Sequence, residues 1–259
     1  MKEKDWLSAT NPEPMFEHLE GETSDRKSRL FAVACARRVA DLLTPARCRR
    51  LVELAKELSS LQFEGSSKPG LSSCLDAINL GERSADESVA DKQLHSVSEA
   101  AYAFTFPASD YAGCWDESQG PFDTQVGATG SAAEAASYCC KEGYGLDAAA
   151  LHAARAVAQH RGVRDDAGDA PERSVQCQLL REIFGNPFRP LKFEAGWRSP
   201  KVVSLAKTIY DKRSFDKMSV LADELEKAGC HNKDILGHCR GGGEHVRGCW
   251  VVDLVLGKD

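Results

Sequence analysis

Apolar residues in this chain recur at spacings of three and four, and nowhere do they alternate with polar ones over the length of a strand. That single regularity excludes most folds, because a helix repeats every 3.6 residues and a half-buried strand every two. Leu51, Leu54, Ala55, Leu58 and Leu61 fall at i, i+3, i+4, i+7 and i+10, one stripe of an amphipathic helix. Thr44-Pro45 supplies its start, Thr as N-cap and Pro as first helical residue. Ser24-Asp25 opens an earlier helix that should run to about Leu43. Further helices are expected over 85–104, over the Ala-rich stretches 131–142 and 146–160, and over 171–184, where Gly185-Asn186-Pro187 stops the last of them. Ser199-Pro200 starts another, Gly229 ends the one after it, and a final helix is expected over 244–256. No hairpin signal such as Asn-Gly lies between apolar runs. The expectation is an all-α protein, an irregular multi-helix bundle with long polar loops in its middle.

Three regions suggest themselves: an N-terminal helical region (1–62), a variable middle (63–170) and a C-terminal helical region (171–259). The middle holds turn chemistry at 63–75, a Gly/Pro/Asp/Ser-rich loop at 107–130 and a polar break at 162–170. At 259 residues and 42% hydrophobic content, the chain can bury a core without help from disulfides or metals. No apolar run approaches the roughly 20 residues that span a bilayer, and the opening Met1-Lys2-Glu3-Lys4-Asp5-Trp6 leads into no secretory h-region. A cytoplasmic protein is expected, with no membrane partner.

Ten cysteines are many for such a chain, yet no Cys-x-x-Cys pair occurs among them. Without an export signal, reduced thiols packed as small hydrophobes are expected, as at Cys35, Cys48 and Cys177. The adjacent Cys139-Cys140 pair is expected at ordinary helical positions rather than in a disulfide. Six Cys/His residues crowd into twenty positions near the end: Cys230, His231, His238, Cys239, His245 and Cys249. On a helix His245 and Cys249 would share a face, and Gly241-Gly242-Gly243 could fold them back on His238 and Cys239. Those four residues, His238, Cys239, His245 and Cys249, form a candidate zinc set, because tetrahedral zinc takes two such pairs. The competing reading makes the cysteines core and the histidines backbone-bonded. A catalytic thiol at Cys230 beside His231 lacks the geometry that such a pair needs.

Residues 26–50 carry eight basic side chains against Asp41 alone, and Arg37, Arg38, Arg47, Arg49 and Arg50 could contact a phosphate backbone. Aromatic interleaving is sparse there, and a net charge of −6 leaves many carboxylates to pair with those arginines. The Arg240, Arg247 and Trp250 patch uses residue types common at protein interfaces. Gly-x-Ser-x-Gly, His-Glu-x-x-His and dinucleotide fingerprints are absent.

Two blocks carry a resemblance. Asp5-Trp6-Leu7 and Ser24-Asp25-Arg26-Lys27 through Cys35 form one. Leu180-Arg181-Glu182-Ile183-Phe184-Gly185-Asn186-Pro187 and His245-Val246-Arg247-Gly248-Cys249-Trp250-Val251-Val252-Asp253 form the other. Over roughly 1–55 and 171–259 the chain resembles an uncharacterised all-helical family of planctomycete-type bacteria with a variable Ala-rich middle. The resemblance implies a bacterial cytoplasmic protein and carries no catalytic residue across. The leading expectation is a non-enzymatic helical module that binds a protein partner and holds no cofactor. The alternatives are zinc binding by the C-terminal Cys/His group and nucleic-acid binding through 26–50.

Overall fold

Helical spacing becomes helix over most of the described residues. The computed structural model describes residues 1–57, 73–106, 108, 123–141, 147–163 and 170–258, and among these there are thirteen α-helices, three one-turn 3-10 helices and no strand. The chain packs as two compact units, Ala9–Cys177 and Met1–Ser8 with Gln178–Asp259. None of the described helices is long and apolar enough to cross a membrane.

In the unit Ala9–Cys177 the helices are α2 (Glu13–Leu19), α3 (Asp25–Arg38), α4 (Pro45–Glu57), α5 (Ser73–Ser84), α6 (Asp91–Tyr102), α7 (Thr124–Tyr138) and α8 (Asp147–His160). Ser24 caps α3 by accepting from the Lys27 amide at 3.3 Å, and Thr44 does the same for the Arg47 amide ahead of α4. Helix α3 stops at Arg38 rather than Leu43, where the chain tightens into a 3-10 turn at Ala40–Leu42. Two expectations for the middle are corrected. The loop 107–130 yields to helix from Thr124, capped by Asp123, and the helix expected over 85–104 shortens to α6, while α5 begins inside the expected turn at 63–75. Small residues hid α7: Gly127, Ala128, Thr129 and Gly130 are all buried, so a stretch that reads as loop by composition packs against neighbours instead. Alanines of α7 and α8 face each other with almost no exposure, letting the two backbones approach closely. Gly81 of α5 lies so near the Cys139 carbonyl that any Cβ would collide with it.

Other sequence expectations fall outside the described residues: the turn at 63–72, Leu58 and Leu61, most of 107–122 and most of the polar break 162–170. The side chains of Leu54 and Ala55 also lie outside them.

Helix α9 (Ala170–Phe184) carries the chain from the first unit into the second. The second unit also holds α1 (Glu3–Ser8), α10 (Pro200–Lys212), α11 (Met218–Lys227), α12 (Lys233–Arg240) and α13 (Trp250–Leu256). Two of its helix boundaries, at Ser199 and Gly229, follow the sequence signals. Ser199 accepts from the Val202 amide, Asn232 accepts from the Asp234 and Ile235 amides, and Gly229 takes φ +90° after α11. Val202, Ala206, Ile209, Met218, Leu221, Leu225, Ile235, Val251, Val252 and Val255 form the core, each at most 2% exposed. Helix α1 is fastened to the end of α9 by polar bonds. The Trp6 indole donates to the Gly185 carbonyl at 3.1 Å, and Arg181 donates back to the Trp6 carbonyl at 2.9 Å.

The last helix begins at Trp250, not at residue 244. Residues 246–249 form a turn instead, closed by a bond from the Cys249 amide to the Val246 carbonyl at 3.0 Å. Gly248, with φ +95°, occupies the third turn position, where a type II turn requires a left-handed residue. The turn residue was visible in the sequence, but the flanking apolar run masked it.

Candidate metal centre

Four side chains of the second unit converge: Glu182 from the last turn of α9, His238 from α12, His245 from the loop after it, and Cys249 at the N-cap of α13. One ligand-capable atom from each lies within 4.8 Å of all the others. The Glu182 carboxylate sits at the hub. Its Oε2 is 3.2 Å from His238 Nε2, and its two oxygens are 3.1 and 3.2 Å from His245 Nδ1. His238 Nε2 is also 3.2 Å from Cys249 Sγ. The rings of His238 and His245 meet edge to face at 5.1 Å, and Trp250 covers His238 at 5.0 Å. Gly185 leaves room for that indole, because a Cβ there would press on it at 3.3 Å.

The site is enclosed. Side-chain exposure is 7% for Glu182, 8% for His245 and 19% for His238, while Cys249 has none. Burial alone would raise the Glu182 carboxyl pKa, but hydrogen bonds from His238 and His245, reinforced by their charge, hold it below the ordinary carboxylate value. Burial pushes the Cys249 thiol far above its usual pKa, and the adjacent Glu182 charge adds to this. The Val252 amide, which points at the sulfur, opposes the shift only in part. The two shifts run in opposite senses for the negative charge, favouring the ionised form of Glu182 and the protonated form of Cys249. His245 Nε2 is buried and makes no hydrogen bond.

Three of the four residues singled out from the sequence are in this cluster, and Cys239 is not. Consecutive helical residues point about 100° apart, so His238 and Cys239 cannot both face one point. Cys239 turns into the core beside Cys230 and Ile235, its thiol pushed up to about 12 by burial and then by the Glu182 charge. The missed residue is Glu182. Its signal was a carboxylate on an apolar stripe, at i+3 from Leu179 and one before Ile183, both at most 2% exposed. A charge in that position must have a partner.

The shared face expected for His245 and Cys249 is also corrected. They converge through the Gly248 turn rather than along a helix.

The other sequence candidates lie elsewhere. Arg37 bonds Glu82 at 2.8 Å and Asn79 at 3.1 Å. Arg38 grips both oxygens of Glu172, at 2.6 and 3.0 Å. Arg47 is partly buried, while Arg49 and Arg50 are exposed on α4. Arg240 is held by Asp223 and Glu226, each at 2.8 Å. Arg247 lies 4.6 Å over the Tyr210 ring, and Trp250 is half-buried. All nine described cysteines are buried, Cys35, Cys48, Cys177, Cys139 and Cys140 among them. Cys230 has a raised thiol pKa, chiefly through burial, which is the reverse of what a thiolate nucleophile needs.

No protein-family model matches this chain, nor does any curated protein or solved structure.

Proposed function

We propose that this is a metal-binding helical protein whose C-terminal unit holds one zinc-class divalent ion between Glu182, His238 Nε2, His245 Nδ1 and Cys249 Sγ. The observation that carries the reading is the convergence of four donor atoms within 4.8 Å in an enclosed site. Tetrahedral zinc at about 2.0–2.3 Å from its ligands requires donors about 3.3–3.8 Å apart, within reach of the separations found.

The donor set suits a borderline-soft ion. One thiolate, two imidazoles and one carboxylate exclude the all-oxygen shells of magnesium and calcium. Charge supports the same choice, since a divalent cation with ionised Glu182 and Cys249 is neutral overall and can be buried without a counterion. Binding would remove the Cys249 proton, because a coordinated thiol is deprotonated. With four protein ligands and no open position, the site serves structure rather than catalysis.

The purified full chain, loaded with zinc and dialysed, should retain one equivalent by elemental analysis. Cys249→Ser should lose it and Cys239→Ser should keep it. A cobalt-loaded sample should show a thiolate-to-metal absorption band that vanishes in Cys249→Ser. Equal zinc retention by wild type and Cys249→Ser would overturn the proposal.

A further inference from the structure

The four proposed ligands are not equally shielded. The His238 side chain is 19% exposed, whereas Glu182, His245 and Cys249 are at most 8% exposed. Exchange of a bound ion with solvent starts where its shell is most open, and here that is the His238 imidazole. An indole lies against that imidazole. The ring centres of Trp250 and His238 are 5.0 Å apart, their planes tilted by 53°. Trp250 opens α13 and directly follows the ligand Cys249, so the turn that places the thiol also places the indole.

The indole also rests on Gly185. Its Cγ and Cδ2 atoms lie 3.3 Å from where a Cβ on Gly185 would sit, and Cδ1 lies 3.6 Å from it. Gly185 follows α9 with φ +68°, three residues past Glu182 (185 − 182). Both of its peculiarities are used. The left-handed backbone turns the chain off α9, and the missing side chain seats the ring. The Trp6 indole, fully buried, fixes the same residue by donating to its carbonyl at 3.1 Å. The seat of Trp250 is thus the helix end that carries Glu182, and the ring bridges from there to the most exposed ligand.

Resting on the metal-binding reading above, we infer that Trp250 is the positioning residue of the site. It holds the His238 imidazole on the ion and closes the exchange path, and the bare Cα of Gly185 is its seat. Release of a bound ion requires one ligand to swing away and a water or competing ligand to take its place. The indole fills space beside the ligand that would swing, so it restrains both steps. Groups packed behind a ligand fix its orientation, and the apolar shell around a centre controls solvent access. Zinc held in this way exchanges slowly, and Trp250 sets the rate.

The rate at which the zinc-loaded full chain surrenders Zn²⁺ to an excess of chromophoric chelator decides this. Trp250→Ala should release zinc about 10–100 times faster, the range by which changes behind the ligands weaken metal affinity. Before chelator is added it should still hold one equivalent, and its cobalt form should keep the thiolate band. Trp250→Phe, which retains a ring beside His238, should fall between Ala and wild type, and it repeats the test should the Ala variant fold poorly. Gly185→Ala should also speed release, but in the Trp250→Ala background it should add less than about twofold, because the seat matters only while the ring is there. Trp197→Phe is the control. Trp197 belongs to the core of the same unit, edge-on to Phe193 and outside the four-residue cluster, so its release rate should stay within about twofold of wild type. A wild-type rate in Trp250→Ala would overturn this role for Trp250 and leave the metal site standing. Equal acceleration in Trp197→Phe would also overturn it, because general loosening would then explain both. Equal acceleration by Gly185→Ala in both backgrounds would overturn the seat. A wild-type chain that retains no zinc would overturn the metal reading, and the role of Trp250 with it.

Discussion

Glu172 and Glu182 lie on one helix, ten residues apart (182 − 172), and both side chains are almost fully buried. Glu172 belongs to the unit Ala9–Cys177 and is met by Arg38 through two parallel hydrogen bonds. Glu182 belongs to the other unit and is met by two imidazoles and a thiol. Both carboxylates satisfy the rule that a buried charge must have partners. They satisfy it with different chemistry. A guanidinium is permanently charged and cannot bind a metal, so the Arg38–Glu172 pair is finished as it stands. Imidazole and thiol each exchange a proton for a metal bond. The same structural demand therefore yields a fixed ion pair in one unit and a candidate metal centre in the other.

The largest expected effect breaks the fixed half. Arg38→Ala leaves Glu172 buried without its cation and should cost about 3–5 kcal/mol, seen as a fall in the unfolding midpoint that added zinc does not restore. Next comes the exchangeable half. Saturating zinc at about a thousand times its dissociation constant should stabilise the second unit by about 4 kcal/mol, measured as a chelator-reversible rise in its melting temperature. Glu182→Gln should abolish that rise.

How much of this contrast the sequence disclosed depends on spacing. The helices with full amphipathic stripes and caps, such as α10 after Ser199-Pro200, were legible because cap and period agree. Helix α7 was not, since its Gly, Ala and Ser residues carry little hydrophobic contrast and it is buried nearly all round. At the site, His238, His245 and Cys249 were legible as residue types but Cys239 was not separable from them, because sequence adjacency says nothing of the 100° or so between neighbouring helical side chains. Glu182 was hidden by distance along the chain. In the basic run 26–50 the surplus of carboxylates told that arginines could be paired but not with which residues: Arg37 and Arg38 meet Glu82 and Glu172, far away in sequence.

Smaller effects sharpen the contrast. Cys239→Ser places a hydroxyl in the core and should cost about 1–3 kcal/mol without changing zinc content. Arg240→Ala removes contacts that are open to solvent on both sides, and the unfolding midpoint should not move measurably. If instead the Arg240 change released zinc, the boundary drawn around the site would be wrong.

The central claim is that Glu182, not Cys239, completes the centre. X-ray absorption at the zinc edge of the loaded full chain tests it most directly. One sulfur at about 2.3 Å and three nitrogen or oxygen neighbours at about 2.0 Å is the result expected for Glu182, His238, His245 and Cys249. Two sulfur neighbours would contradict it, because the second could come only from a rearrangement that brings in another cysteine such as Cys239.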